Sequence, residues 1–328
     1  MERYAHEMET AVNAVREAAR LTRAVQAEIT PEVLEKKDKS PVTLADFGSQ
    51  AIICRALGAA FPKDPVVGEE ESSSLAQPEN AAMLSRLVHA VGRVVPGAKA
   101  GDVCSWLDRG NAEGYSARFW TLDPIDGTKG FLRKEQYAIS LALIVEGRIE
   151  VGVLGCPNLA LDPGRPDERG ALLVAVRGRG AQRLPLVGAG PAVPIRVSAE
   201  ADPRLLRFCE SVEKEHSSHG DAARIAERLD IDAEPVRLDS QAKYAVVARG
   251  EAEAYLRLPK SADYVEKIWD HAGGAIIVEE AGGVVTDVAG KPLDFTHGRC
   301  LTKNRGVVAS NGALHDALIG AISALDIG

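Results

Sequence analysis

Two carboxylates stand close together in the segment Trp120, Thr121, Leu122, Asp123, Pro124, Ile125, Asp126, Gly127, Thr128, where an apolar run ends. Like charges so near each other favour a cation between them. Proline fixes φ, so the turn can aim both carboxylates and the Ile125 carbonyl at one point, and hard oxygen donors of this kind suit Mg²⁺. Gly127 permits a close backbone approach to a ligand, and Thr128 adds a hydroxyl beside it. The competing reading is a turn whose aspartates cap backbone amides. An EF-hand fits poorly, because the twelfth position of a loop beginning at Asp123 is Lys134 rather than Glu.

Three more acids can join this pair. Glu69 follows a short strand and Gly68, with Glu70 and Glu71 behind it, and is either a ligand or part of a solvated acidic loop. Asp46 stands at the start of a helix predicted over 46–60, where capping is the alternative role. Asp270 follows Trp269 and opens a helix predicted over 270–281 that stops at Gly282 and Gly283. Capping that helix and contacting a metal or phosphate at its positive end are compatible.

The elements that must position these acids are legible in outline. Met8, Val12, Val15, Ala19, Thr22 and Val25 recur in steps of four and three, which predicts a core helix reaching about Ile29. Phe47, Ala51, Cys54 and Leu57 form one face of the second helix. A short strand follows at Val66 and Val67, and further strand-like runs over 119–122, 138–145, 149–154 and 171–176, joined by short turns, predict an antiparallel sheet. Residues 72–101 are weakly patterned, and no site is placed there. The Gly- and Pro-rich stretch 186–194 is the best boundary, dividing the chain into an α+β half, 1–190, and an α/β half, 191–328. In the second half, helices over 221–229, 240–248, 270–281 and 313–325 alternate with strands over 236–238, 252–258, 284–286 and 307–309.

Composition sets the outer limits. The 328 residues carry 39 Lys and Arg against 47 Asp and Glu, a net charge of −8, with 45% hydrophobic residues. That describes a globular chain and excludes disorder, collagen and coiled coil. The acidic balance argues against a nucleic-acid polymer as partner, but leaves room for a small phosphorylated ligand. Cys54, Cys104, Cys156, Cys209 and Cys300 are odd in number and form no C-x-x-C pair, which argues against a disulfide scaffold. Glu2, Glu7 and Glu9 fit neither a secretory signal nor a transit peptide, and no apolar run is long enough to span or anchor in a membrane, so an intracellular, cytoplasmic protein is expected. Gly178, Arg179 and Gly180 open like a dinucleotide loop, but position 183 is Arg, and neither a P-loop nor a G-x-S-x-G elbow occurs.

Asp46, Gly68 with Glu69, the run from Asp123 to Thr128, and Trp269, Asp270, Ala272 and Gly273 together resemble the motif set of the lithium-sensitive, magnesium-dependent phosphatases related to inositol monophosphatase. Within that superfamily, residues 39–43, 120–133, 213–219, 239–244 and 255–259 are similar to the 3′(2′),5′-bisphosphate nucleotidases, and the likeness runs from about Lys36 to Gly312. The resemblance implies a layered α/β/α/β/α sandwich with the site between its halves. It implies that Glu69, Asp123, Asp126, Asp270 and the Ile125 carbonyl bind two or three Mg²⁺ ions, and that Asp46, paired with the Thr128 hydroxyl, activates the attacking water. His216, Ser240, Lys243 and Arg257, with Thr128 and Asp270, would hold the nucleotide.

The implied reaction is in-line hydrolysis of the 3′-phosphate of adenosine 3′,5′-bisphosphate (PAP) to AMP, with the sulfated analogue PAPS giving APS, and Li⁺ as an inhibitor. Phosphoryl transfer is mostly positioning and charge stabilisation, so the motifs need no nucleophilic cysteine or histidine. Two other readings stand beside this one. An inositol phosphate 1-phosphatase would use the same carboxylates with less need of Lys243 and Arg257. A non-catalytic nucleotide sensor would be expected to lack one of the five carboxylates, and none is missing. His216 and His219 can also be a surface pair, and no nearby cysteine or third histidine supports zinc.

Overall fold

In the computed structural model, residues 3–30, 40–73, 75, 77–212, 218–259, 261 and 264–327 are described. The apolar stripe at the start of the chain forms α1 (Ala5–Ala27), which buries Ala11, Val15, Ala18 and Val25 and packs along α2 (Ser40–Ala60). Asp46 lies inside α2 and not at its start, so the capping role is excluded. The helix starts earlier than position 46 because Pro41 is tolerated near a helix start, where its missing N–H costs nothing.

β1 (Val66–Gly68), β2 (Arg118–Asp126), β3 (Ala138–Val145), β4 (Arg148–Asp162), β5 (Arg165–Val176), β6 (Ala181–Pro185) and β7 (Val193–Ile195) form a seven-stranded sheet in sequential order. Neighbours pair antiparallel, as the short turns require, except that β1 and β2 are parallel. A parallel pair needs a crossover, and α3 (Ala81–Gly92) and α4 (Ala100–Asp108) supply it from the weakly patterned region and just beyond. β7 extends this sheet past residue 190, so the change of sheet comes after Ile195.

The second sheet contains β8 (Phe208–Glu210), β9 (Val236–Arg237), β10 (Ala254–Arg257), β11 (Val284–Thr286) and β12 (Val307–Ser310), in the order β11-β12-β10-β8-β9. Between the sheets lie α7 (Ala242–Ala248) and α8 (Ala272–Glu280). Every residue of α8 from Ala272 to Val278 is buried, as befits a helix apolar all round. Gly152 of β4 makes room for it: a Cβ there would meet Ile276 Cγ2 at 2.3 Å and the Gly273 carbonyl at 2.9 Å. On the outer face of the second sheet sit α6 (His219–Arg228) and α9 (His315–Ala324).

Alternation along β3 shows how the layers are held. Leu141 and Leu143 join Val15 and Ile52 in one core, whereas Ala142 and Ile144 face Val247 and Ile276 in the next. Leu256 and Val308 pack with Ile225 and Leu318 in a third. Each buried aliphatic side chain of this kind stabilises the fold by about 1.5–3 kcal/mol. The result is the layered α/β/α/β/α sandwich that the resemblance implies. No helix among the described residues is long and apolar enough to cross a membrane.

Candidate active site

The acidic cluster is built where β2 breaks its pairing. The register with β3 shifts between Asp123 and Asp126, so the two carboxylates sit on a bulge within the strand and not on a turn after it. A bulge re-aims side chains that would otherwise alternate, and accepts Pro124, whose missing N–H a regular ladder would need. Ser49 of α2 donates to the Pro124 carbonyl at 3.0 Å. Asp46, one turn earlier on that helix, shares the face. Gly127, at φ 89°, then leads into α5 (Thr128–Leu132).

Glu69 follows β1, beside β2 in the sheet. Its loop is pinned from two sides: Gln50 accepts from Glu70 N at 3.0 Å, and Arg299 donates to the Gly68 carbonyl at 2.7 Å while stacking 4.7 Å from the Trp269 ring centre. Asp270 arrives on the 3₁₀ turn Ile268–Asp270 that precedes α8. The expected capping role of Asp270 is not observed. His271 is the N-cap position and makes no side-chain cap, which leaves the Asp270 carboxylate for the cleft.

Glu69, Asp123, Ile125, Asp126, Thr128, Ser240, Lys243, Arg257 and Asp270 line one cleft of ≈ 220 Å³, together with Gln241, Tyr255, Tyr264 and His271. Asp46 is buried and does not line the cleft. His216 lies outside the described residues.

The carboxylates are short of partners. Among the described residues, Asp46 Oδ1 and Asp123 Oδ1 are buried without a hydrogen-bond partner, so the pairing of Asp46 with Thr128 is not made through that oxygen. Burial pushes both carboxyls well above the usual range; the charges of Glu70 and Glu69 add to this for Asp46, and those of Glu69, Asp126, Asp270 and Asp46 for Asp123. Desolvation in the cleft, then the charge of Glu70, raises Glu69 to about 7, although the residue faces solvent. Burial likewise raises Asp270 to about 7. Unpaired buried oxygens are costly. An all-oxygen set of this kind fits a hard divalent cation. A tighter trio, Glu266, Asp270 and His271, has donor atoms within 4.8 Å of one another. There His271 is already committed, Nδ1 to the Tyr244 hydroxyl at 2.7 Å and Nε2 to Glu266 at 3.1 Å. The carboxylate wall is therefore the better cation site.

The same cleft also carries cations. Lys243, buried on α7, donates to the Ser240 carbonyl at 2.7 Å and the Leu238 carbonyl at 3.3 Å, and burial lowers its pKa. Ser240 precedes α7 and does not begin it, at the strained φ of 68°. Arg257 ends β10, donating to Glu266 at 3.2 Å and to the Tyr264 hydroxyl at 3.2 Å, with Asp270 at 4.0 Å.

Gln241 was not foreseen as a site residue. Its backbone N–H donates to Asp126 at 2.5 Å, its amide oxygen accepts from Ser140 at 3.1 Å and Gly274 N at 3.3 Å, and its amide nitrogen donates to the Trp269 carbonyl at 3.0 Å. It thus ties the β2 bulge to the turn carrying Asp270. Its only signal in the sequence is its place beside Ser240.

An acidic cleft between two sheets of a five-layer sandwich has counterparts. The chain belongs to the inositol monophosphatase family, which it matches over residues 4–326. In fold it superposes on an inositol monophosphatase from Anabaena (Nostoc) sp. with a TM-score of 0.65, at 19% identity, over 100% of this chain and 98% of that one. In sequence it is more similar to a Schizosaccharomyces pombe protein named 3′(2′),5′-bisphosphate nucleotidase, 44% identical over 338 residues, 97% of this chain and 95% of that protein. An Oryza sativa protein of the same name is 43% identical over 339 residues, 97% of this chain and 94% of its own length.

Proposed function

We propose that the protein is a Mg²⁺-dependent phosphatase that removes the 3′-phosphate of PAP to give AMP, and acts likewise on PAPS. One observation carries this reading: the cleft lined by Glu69, Asp123, Asp126 and Asp270, with the Asp123 Oδ1 unpaired among the described residues, is lined also by Lys243 and Arg257, which supports a cation site and a second-phosphate site in one cavity. The names of the near-full-length relatives support it.

Glu69, Asp123, Asp126, Asp270 and the Ile125 carbonyl would hold two or three Mg²⁺ ions. When bound, such ions neutralise phosphate charge and acidify water. Asp46 Oδ1, which has no hydrogen-bond partner among the described residues, accepts the proton of the attacking water, with the Thr128 hydroxyl helping to orient it. Lys243 and Arg257 neutralise the second phosphate, and Ser240 and His216 add hydrogen bonds to phosphate or ribose.

Phosphate release from PAP, PAPS, inositol 1-phosphate and inositol 1,4-bisphosphate, with Mg²⁺ or with EDTA, tests the reading. PAP should have the highest kcat/KM, EDTA should stop turnover, and LiCl should inhibit. A tenfold preference for an inositol phosphate, about 1.4 kcal/mol of transition-state discrimination, would overturn the substrate assignment. PAP binding with no turnover would instead describe a sensor.

A further inference from the structure

We infer that Glu266 is a positioning residue for substrate recognition: it holds the Arg257 guanidinium away from Asp270 so that it meets the second phosphate. The inference rests on the nucleotidase reading above. Glu266 does not line the cleft; it is buried behind Arg257 and His271, which do. One carboxylate oxygen accepts from Arg257 Nε at 3.2 Å, and the other is 3.1 Å from His271 Nε2. His271 is anchored in turn by the Tyr244 hydroxyl at 2.7 Å, and the Glu266 carbonyl accepts from Leu301 N at 2.9 Å. Neither end of this chain of contacts is loose.

The need for such a brace follows from what else is near. Arg257 Nη2 lies 4.0 Å from Asp270 Oδ2, and nothing in simple attraction prevents a full ion pair there. That pair would draw the guanidinium off the second phosphate. Glu266 takes the Nε edge and the Tyr264 hydroxyl takes one Nη2 proton at 3.2 Å. A guanidinium has five N–H donors, so several remain for a phosphate.

The test compares Glu266→Gln, Arg257→Ala and the double variant on PAP and on 3′-AMP, which lacks the 5′-phosphate. Glu266→Gln should lower kcat/KM for PAP about tenfold, mainly through KM, and change 3′-AMP hydrolysis by less than about twofold; in the Arg257→Ala background it should add nothing. Equal losses on both substrates, or an undiminished loss in that background, would overturn the inference. A wild-type enzyme indifferent to the 5′-phosphate would count against the nucleotidase reading instead. For that case the brace is read directly from a crystal structure of Glu266→Gln, in which Arg257 should close onto Asp270. A guanidinium left in place would refute it.

Discussion

The two walls of the cleft are made on opposite principles. On the wall from α2, β1 and β2, packing forces carboxylates together, and Asp123 Oδ1 and, outside the cleft lining, Asp46 Oδ1 are buried with no partner among the described residues. On the wall from α7 and β10, Lys243 is matched to two carbonyls and Arg257 to Glu266 and Tyr264 before any ligand arrives. The first wall carries an electrostatic cost that an added cation removes. The second is preorganised, and its donors need little rearrangement to meet an anion. The difference suggests a division of labour, with chemistry on the strained wall and recognition on the satisfied one.

Breaking the strained wall should have the largest effect. Asp126 gives one oxygen to Gln241 N and faces the cleft, so Asp126→Asn removes charge where a cation would sit while keeping a carbonyl oxygen to accept that hydrogen bond. Phosphate release should fall below detection, with an unchanged circular dichroism spectrum. Retained turnover would mean that this wall is not the seat of the chemistry.

A lesion in the satisfied wall should be milder and of a different kind. Lys243→Met should lower kcat/KM for PAP roughly 10- to 100-fold, the range of hydrogen bonds to charged groups at about 1.5–3 kcal/mol. If the walls are independent, the Mg²⁺ concentration for half-maximal rate stays within about twofold of wild type. A large shift in that concentration would show that Lys243 supports the carboxylates as well, and the division would fail.

What the sequence reveals follows the same divide. The carboxylates of the β2 bulge mark themselves, since neighbouring acids in an apolar strand demand an explanation, and the apolar run 138–145 reads directly as β3. The satisfied wall is harder to see because its contacts are made across the chain. Gln241 meets Asp126 from 115 residues away, through a backbone N–H that any residue possesses. Glu266, in a polar stretch, looks like a solvated acid until folding places Arg257 and His271 on its two oxygens. Local chemistry also misled. Asp46 and Asp270 look like helix caps, yet one lies inside α2 and the other precedes the actual N-cap. The Gly- and Pro-rich 186–194 reads as the boundary between two halves, yet its end enters β7, a short edge strand of the kind that accepts Pro194.

The smallest expected effect concerns stability, and it separates the walls without any substrate. Asp46, Asp123, Glu69 and Asp270 all have carboxyls raised in the folded chain, the last two to about 7. The folded state therefore holds more protons than the unfolded state over the interval between the ordinary carboxylate range and about pH 7. Unfolding free energy must then fall as pH rises through that interval. Glu69 and Asp270 contribute their full stability below it and lose it above. Metal-free protein should accordingly melt at a lower temperature at pH 7.5 than at pH 5, and saturating Mg²⁺ should flatten that slope by stabilising the ionised wall. Asp46→Asn, which removes one buried carboxyl, should be inactive yet melt about 1–2 °C above wild type in EDTA at pH 7.5, the shift that about 1 kcal/mol produces in a chain of 328 residues at about 2.1 cal/mol/K of unfolding entropy per residue. Calorimetry at the two pH values measures both quantities. A variant that melts below wild type under those conditions would mean that the Asp46 carboxylate is satisfied in the folded chain, and that the strain on this wall lies elsewhere.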